Sequence, residues 1–187
     1  MKVLALLILG IIVYYIYEKY YNKSNITSPF FTGINNLINS AGNAISTAAN
    51  TLSSKAQDYL SDINTVSQEY GINPAILFAI TATEQGTTNM ADWNPDAYNP
   101  TDPSGAFGLT QVLSDTAAEL GVNNPNDLFN PLTALETTAK YILKYSPDPN
   151  DIVTTAQVYN AGSNADFVDT NYINKALQNY EYYYEHY

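Results

Sequence analysis

Glu84 is the residue whose position best suits proton-transfer chemistry. Ile76, Ile80 and Glu84 recur at four-residue spacing in a segment, 73–84, that the sequence predicts to be a helix. The carboxyl group therefore shares a helix face with two large aliphatic side chains. In the last turn of a helix, desolvation and the partial negative charge of the carboxyl end both disfavour the anion. The pattern predicts a raised pKa for Glu84, and thus a proton donor near neutral pH.

Signals at both ends support this helix. Asn73 suits the N-cap, and Pro74 suits the first helical position, where its missing N–H is not needed. Gly86 follows Glu84 by two residues and is a natural stop, since glycine readily takes the left-handed conformation that ends helices. The sequence thus places Glu84 close to the carboxyl end of a short helix.

Composition excludes several other kinds of chemistry. The net charge is −11 and all seven basic residues are Lys, so the chain repels the phosphates of nucleic acids and no nucleic acid partner is expected. Cysteine is absent, which rules out disulfides and thiolate metal sites. The single His, His186, lies next to the C-terminal residue, where a catalytic role is improbable. No cofactor or metal is predicted. Of the kinds of catalytic chemistry considered, only carboxylate chemistry remains available to this chain.

The N-terminal segment, residues 1–23, predicts a membrane anchor. An apolar run from Val3 to Tyr17 is short for a bilayer span, but the tyrosines at 14, 15, 17, 20 and 21 extend it as an interfacial belt. A cleaved signal peptide is the alternative, and it is less favoured because the Tyr-rich stretch offers no small residues for cleavage.

Residues 24–60 read as a spacer or stalk, because they are rich in Asn, Ser, Thr and Ala. Ile34, Ile38, Ala41 and Ile45 nevertheless follow helical spacing. One interpretation is a stalk helix that self-associates or lies on a membrane. The favoured one is a marginal helix docked on its own domain.

Residues 61–187 predict a mainly α domain with a small irregular or β region. Helices are expected from about Asp62 to Tyr70, near Thr116 to Leu120 with Glu119 in a capping box, from Asn130-Pro131, over Asp151 to Tyr159, and from about Asn171. The loop from Gln85 to Ser104 is expected to hold a small β-hairpin. The sequence does not decide what the Tyr-rich tail, residues 180–187, contacts.

Three motifs in order carry a family resemblance: Glu84, then Gly105-Ala106-Phe107-Gly108-Leu109-Thr110-Gln111-Val112, then Tyr159-Asn160-Ala161-Gly162. The set resembles the soluble lytic transglycosylase family, and the match runs from about Ile63 to Ala176. The resemblance implies a lysozyme-like fold and an enzyme that cuts the glycan strands of peptidoglycan at the MurNAc-GlcNAc β-1,4 bond.

The resemblance also implies roles for residues. Glu84 would be the single acid and base, taking a proton from the C6 hydroxyl of MurNAc to give a 1,6-anhydro end. Gln111 would line the cleft, and the hydroxyl of Tyr159 would steady the Glu84 carboxyl group. The residues expected to bind substrate are Ser104, Gly105, Ala106, Gly108, Gln111, Tyr159, Asn160 and Tyr172. Three aromatic residues near the motifs, Trp93, Tyr98 and Phe107, are further candidates for stacking on sugars.

The chain departs from the family pattern at Thr110, where Met is usual, and at Ala134 and Thr138, where Asn and Gly are usual. The segment that holds Ala134 and Thr138 is therefore expected to serve packing alone. The loop after Glu84 also carries three acidic residues, Asp92, Asp96 and Asp102. A second carboxylate would activate water and make the enzyme an inverting hydrolase. Solvated loop aspartates are the favoured interpretation.

The sequence therefore predicts a membrane-anchored peptidoglycan lytic transglycosylase, whose catalytic domain faces the cell wall in a periplasm or at a virion membrane. Assembly partners in a wall-crossing machine or a phage particle fit this function. Two alternatives stay open: a hydrolytic muramidase, similar to goose-type lysozymes, and a non-catalytic wall-binding or structural module.

Overall fold

A computed structural model describes residues 29–101, 104–162 and 168–187. The chain divides into two compact units, residues 1–51 and residues 52–187, and each is described by itself. The predicted anchor, residues 1–23, lies outside the described residues. Within the described ranges, no helix has both the length and the apolarity that a membrane crossing requires.

Helix α1, Pro29–Tyr70, is far longer than predicted. It ends at Tyr70 as expected, and Gly71 follows with φ +67°. It begins near the start of the segment that the sequence assigned to a spacer, so most of that segment is helical. In the first unit, the apolar side chains of Leu37, Ile38 and Ile45 are exposed.

Helix α2, Pro74–Gln85, lies at the centre of the second unit. The N-cap Asn73 accepts a hydrogen bond from the backbone N–H of Ala75, and Gly86 ends the helix with φ +69°. Both end signals are confirmed. All residues from 75 to 82 are buried, so the helix is covered on every side. This explains why it is apolar all round, with no polar face.

Helix α6, Thr170–His186, packs along α2 in the opposite direction. Asn179 donates to the hydroxyl of Thr83 near the end of α2 at 2.9 Å. Tyr184 accepts from the side-chain amide of Asn73, at the start of α2, at 2.7 Å. The aromatic tail closes the core, because the rings of Tyr182, Tyr183 and Tyr187 lie 5.5–6.2 Å from that of Phe78. The tail thus packs on its own domain.

Three more α-helices surround this pair: α3, Ser114–Glu119; α4, Pro131–Tyr145; and α5, Ile152–Ala161. Two short 3₁₀ helices, Met90–Asp92 and Pro125–Phe129, lie in the connecting loops. The cap of α4 is Asn130, which accepts from the N–H of Thr133 at 3.1 Å. The cap of α5 is Asp151, which accepts from the N–H of Thr154 at 2.7 Å.

The capping box predicted for α3 is wrong. The N-cap is Leu113, which offers no side-chain hydrogen bond. Glu119 turns away from the start of its helix because it forms an ion pair with Lys144 and accepts a hydrogen bond from the hydroxyl of Tyr145. Those two donors come from α4, which the local pattern around Thr116 does not reveal.

A three-stranded antiparallel sheet completes the domain, in the order β1, Tyr98–Asn99; β2, Ala106–Phe107; and β3, Val112–Leu113. The expected hairpin exists, but only β1 lies in the loop that was predicted to contain it. Its partner strand belongs to the Gly-rich segment, with Tyr98 opposite Phe107. The mainly α fold with a small β region is confirmed.

Gly108 fixes how the turn between β2 and β3 packs. Its φ is +74°, a conformation that L residues rarely adopt. A Cβ atom added here would lie 2.0 Å from the carbonyl oxygen of Leu128, which is far inside van der Waals contact. The absence of a side chain therefore lets this turn lie directly against the 3₁₀ helix Pro125–Phe129.

Gly108→Ala should lower the free energy of unfolding by about 2–4 kcal/mol, as it adds overpacking against backbone to the strain of a left-handed Ala. Gly71→Ala is the matched control: its φ is +67° and no atom lies within 4 Å of the added Cβ. The control should lose about 1–2 kcal/mol. Urea unfolding of both variants checks this, and equal losses would contradict the packing role of Gly108.

Candidate active site

Glu84 lies in the last turn of α2 and meets Tyr172 from the first turn of α6. The Tyr172 hydroxyl donates a hydrogen bond to Oε1 of Glu84 at 2.6 Å. A bond this short is typical of a hydroxyl that donates to a carboxylate. Because the Glu84 side chain is only partly exposed, the carboxyl group sits at the edge of the core. A raised pKa of Glu84 stays a prediction.

Gln85 ties the end of α2 to two loops at once. Its side-chain amide donates to the carbonyl oxygen of Leu109 at 2.8 Å, and its side-chain oxygen accepts from the N–H of Asn94 at 2.7 Å. These bonds hold the turn 108–111 beside the residue that follows Glu84. Sequence analysis did not identify Gln85, because its position next to Glu84 is the only feature of the sequence that indicates a role in the site.

Gln111 adopts a backbone conformation unusual for its type, with φ +51°. Its side-chain nitrogen donates to the carbonyl oxygens of Gly108 at 2.8 Å and Ala97 at 3.3 Å. Both amide hydrogens are therefore used within the protein. The side-chain oxygen is the part suited to a ligand, and it would accept a hydrogen bond from a sugar hydroxyl or acetamido N–H. That ligand role stays a prediction.

The Tyr159 hydroxyl donates to the carbonyl oxygen of Thr110 at 2.8 Å and lies 3.2 Å from the hydroxyl of Thr138. Since its proton is given to Thr110, the Thr138 hydroxyl is the donor in that second pair. Tyr172 also bonds Glu84 directly, while the direct support of the Glu84 carboxyl group by Tyr159, which the family resemblance implied, stays a prediction. Tyr159 positions the backbone just before Gln111.

Burial and the nearby charge of Glu84 raise the pKa of Tyr159. The same two causes, burial first, raise the pKa of Tyr172 well above its usual value. Both rings keep some exposed surface while their hydroxyls lie inside the protein. The two phenols therefore stay protonated near neutral pH, and both remain hydrogen-bond donors.

The three departures from the family pattern lie together behind this site. Thr110, Ala134 and Thr138 are all buried. The Thr110 hydroxyl approaches the carbonyl oxygen of Ala134 at 3.4 Å, and Thr138 contacts Tyr159. Thr138 therefore reaches the site indirectly, through a tyrosine, which goes beyond the pure packing role that the sequence predicted.

The other predicted substrate-binding residues occupy different surroundings. Gly105 has φ +71°, and the ring of Tyr98 lies 3.0 Å from where its Cβ would be. The carbonyl oxygen of Ser104 accepts a hydrogen bond from the side chain of Ser114. Ala106 is buried in β2, and Asn160 is exposed near the end of α5. Ligand roles for these residues, and for the tightly packed Gly108, stay predictions.

The prediction that Trp93 stacks on sugars is wrong. Trp93 is fully buried between Tyr59 and Phe78, with ring centroids 5.5 and 5.6 Å away, and its indole N–H donates to the carbonyl oxygen of Thr87. Tyr98 is different, because 54 % of its surface is exposed while its ring packs on Phe107 at 4.8 Å. Tyr98 is therefore the aromatic residue better placed to meet a ligand.

The loop aspartates lie in other environments. Asp92 accepts a hydrogen bond from the side chain of Asn89 at 2.8 Å, and the charge of Asp96 acts on Tyr59. Asp102 lies outside the described residues. Among the carboxylates of the described ranges, Glu84 is the one whose charge raises the pKa of Tyr159 and Tyr172. No group of three or more metal-binding side chains was found in those ranges.

Comparison with protein-family models identifies a domain over most of the second unit. The model described as "Transglycosylase SLT domain" matches residues 61–181, which contain Glu84, the turn 108–111, Tyr159 and Tyr172.

The buried tyrosines predict a loss of stability at alkaline pH. A raised folded-state pKa contributes stability that is complete below the unfolded value near 10 and is lost as pH rises through the folded value. The free energy of unfolding should therefore fall above about pH 10, by up to about 1.4 kcal/mol per pH unit for each such tyrosine. Tyr172→Phe should reduce the slope. Urea unfolding between about pH 8 and 11 measures how steeply the free energy of unfolding falls with pH. Tyr98→Phe, at an exposed tyrosine, is the control. If Tyr172→Phe left this slope unchanged, the raised pKa of Tyr172 would be refuted.

Proposed function

The chain belongs to the transglycosylase SLT domain family, and from this we propose that it cleaves peptidoglycan as a lytic transglycosylase with Glu84 as its only acid and base. The hydrogen bond from Tyr172 to Glu84 is the observation that carries the proposal. It fixes a carboxyl group at the edge of the core, beside a turn that Gln85 ties to the same helix end. These two contacts, from Tyr172 to Glu84 and from Gln85 to Leu109, are not expected around a glutamate that merely points into solvent at the end of a helix.

The reaction would have two proton transfers. First, protonated Glu84 donates to the glycosidic oxygen between MurNAc and GlcNAc as the bond from that oxygen to C1 breaks. The Glu84 anion then takes the proton of the MurNAc C6 hydroxyl, and the C6 oxygen bonds to C1 and closes the 1,6-anhydro ring. Glu84 ends protonated again, and no water is consumed.

Tyr172 gives this cycle a fixed geometry. Because its hydroxyl donates to Oε1, the transferable proton belongs on Oε2. The same hydrogen bond stabilises the anion that exists between the two steps, since a hydroxyl that donates to a carboxylate favours the charged form. Tyr172 stays protonated throughout, because burial and the Glu84 charge raise its pKa.

The contacts of Asp92 and Asp96 support this reaction over inverting hydrolysis, while Asp102 lies outside the described residues. Inverting hydrolysis needs a second carboxylate to activate water across the sugar ring. Among the described carboxylates, Asp92 is bonded to Asn89 and Asp96 acts on Tyr59, so neither is drawn towards Glu84 by a described contact.

We also propose that residues 1–23 anchor the protein in a membrane with the catalytic domain towards the wall, where assembly partners of a wall-crossing machine or phage particle would place it. This part of the proposal rests on the sequence alone.

Glu84→Gln should lower the rate of glycan cleavage by about 10²–10⁴-fold, because the amide cannot carry the proton. The digest should be analysed by mass spectrometry, in which wild type gives 1,6-anhydro ends. Glu69→Gln, an exposed residue of α1, is the matched control and should cleave normally. Cleavage by Glu84→Gln at the wild-type rate would remove the catalytic assignment, and reducing ends from wild type would favour a muramidase.

Tyr172→Phe should lower kcat roughly tenfold to a hundredfold and leave KM almost unchanged, since it removes a hydrogen bond to a charged group that forms during the reaction. Tyr180→Phe, whose hydroxyl contacts Asn73 at the far end of α2, is the control with normal kcat. Steady-state kinetics on soluble glycan strands measures both. If Tyr159→Phe lowered kcat and Tyr172→Phe did not, the carboxyl partner would have been wrongly identified.

A further inference from the structure

A polar pocket of about 380 Å³ lies between the end of α2 and the middle of α6. Helix α2 and the residues after it contribute Thr83, Thr87 and Thr88, and α6 contributes Lys175, Gln178 and Asn179. Glu84 does not line this pocket, so it is distinct from the catalytic contact. The pocket is nevertheless close to the contact between Tyr172 and Glu84. Thr83 precedes Glu84 in the chain, and Lys175 lies one helical turn, about 5 Å, beyond Tyr172.

The pocket is lined by neutral polar groups and one positively charged group. It combines three threonine hydroxyls, two side-chain amides and one ammonium group, and none of the described lining residues is acidic. This is unusual in a chain with 18 acidic and 7 basic residues. Lys175 forms no ion pair within the described residues, whereas Lys144 pairs with Glu119. An unpaired ammonium group in a pocket free of acidic side chains suits a carboxylate guest.

Hydrogen bonds hold one wall of the pocket in place. The Thr83 hydroxyl donates to the carbonyl oxygen of Ala79 at 2.7 Å and accepts from the side-chain amide of Asn179 at 2.9 Å. Asn179 is thereby oriented, and its side-chain oxygen is left to accept an N–H. A wall that accepts N–H groups beside an ammonium group suits a peptide that carries a carboxylate.

We propose that this pocket binds the peptide stem of peptidoglycan, with a stem carboxylate on Lys175 and stem amides on Asn179 and Gln178. The proposal rests on the proposed function and refines its substrate. The stem is joined to the MurNAc ring whose bond to GlcNAc would break. When that bond lies beside Glu84, the stem must therefore lie close to Glu84 as well. The distance of one helical turn from Tyr172 to Lys175 matches this requirement.

The test compares two substrates: glycan strands that carry their stems, and the same strands after removal of the stems by an amidase. Lys175→Met keeps an unbranched side chain that is one atom shorter and removes the charge. It should lower kcat/KM for stem-bearing strands about tenfold and leave kcat/KM for stripped strands unchanged. Lys140→Met, a lysine of α4 that is absent from the pocket lining, should change neither value. Gln178→Ala, at a position that is exposed like Lys175, should show a smaller loss confined to stem-bearing strands.

Equal kcat/KM values for wild type and Lys175→Met on stem-bearing strands would overturn the proposal, and so would a similar loss on both substrates. Failure of the proposed function looks different: wild type would then cleave neither substrate, or Glu84→Gln would cleave both. The two failures are thus told apart within one set of digests.

Discussion

The candidate active site depends on one contact, the hydrogen bond between Tyr172 and Glu84, two residues that lie 88 positions apart in the chain. It exists because α6 packs along α2 in the opposite direction, which brings the start of one helix to the end of the other. Asn179 and Tyr184 repeat that pairing further along α6, at Thr83 and at Asn73. Aromatic packing around Phe78 stabilises the same interface. The position of the carboxyl group is thus set by the packing of two whole helices.

The rest of the site is organised by hydrogen bonds from side chains to backbone. Gln85 holds Leu109, Gln111 holds Gly108 and Ala97, and Tyr159 holds Thr110. Gln85 fixes this turn with respect to α2, Tyr159 fixes it with respect to α5, and Gln111 fixes it with respect to the loop that holds Ala97. The turn therefore needs little regular structure of its own. This is how three strands of two residues each can support a site with a defined shape.

Local signals in the sequence predicted local structure well. Residues within one turn of each other set the N-cap at Asn73, the helix starts at Asn130-Pro131 and Asp151, the glycine stop at Gly86 and the place of Glu84 in its helix. Features set by distant contacts could not be predicted this way. The burial of Trp93, the pairing of Glu119 with Lys144 and the close approach of Gly108 to Leu128 each depend on where another element packs. The family resemblance assigned the support of Glu84 to Tyr159, and the hydrogen bond from Tyr172 to Glu84 likewise depends on how α6 packs along α2.

The central claim is that Glu84 alone moves both protons and that the sugar's own hydroxyl, and no water molecule, attacks C1. Digestion of peptidoglycan in water enriched in oxygen-18 tests this most directly. The account predicts that the newly formed MurNAc ends carry no oxygen-18 when they are analysed by mass spectrometry. One atom of oxygen-18 in each new MurNAc end would mean that water attacks C1, which would contradict the account.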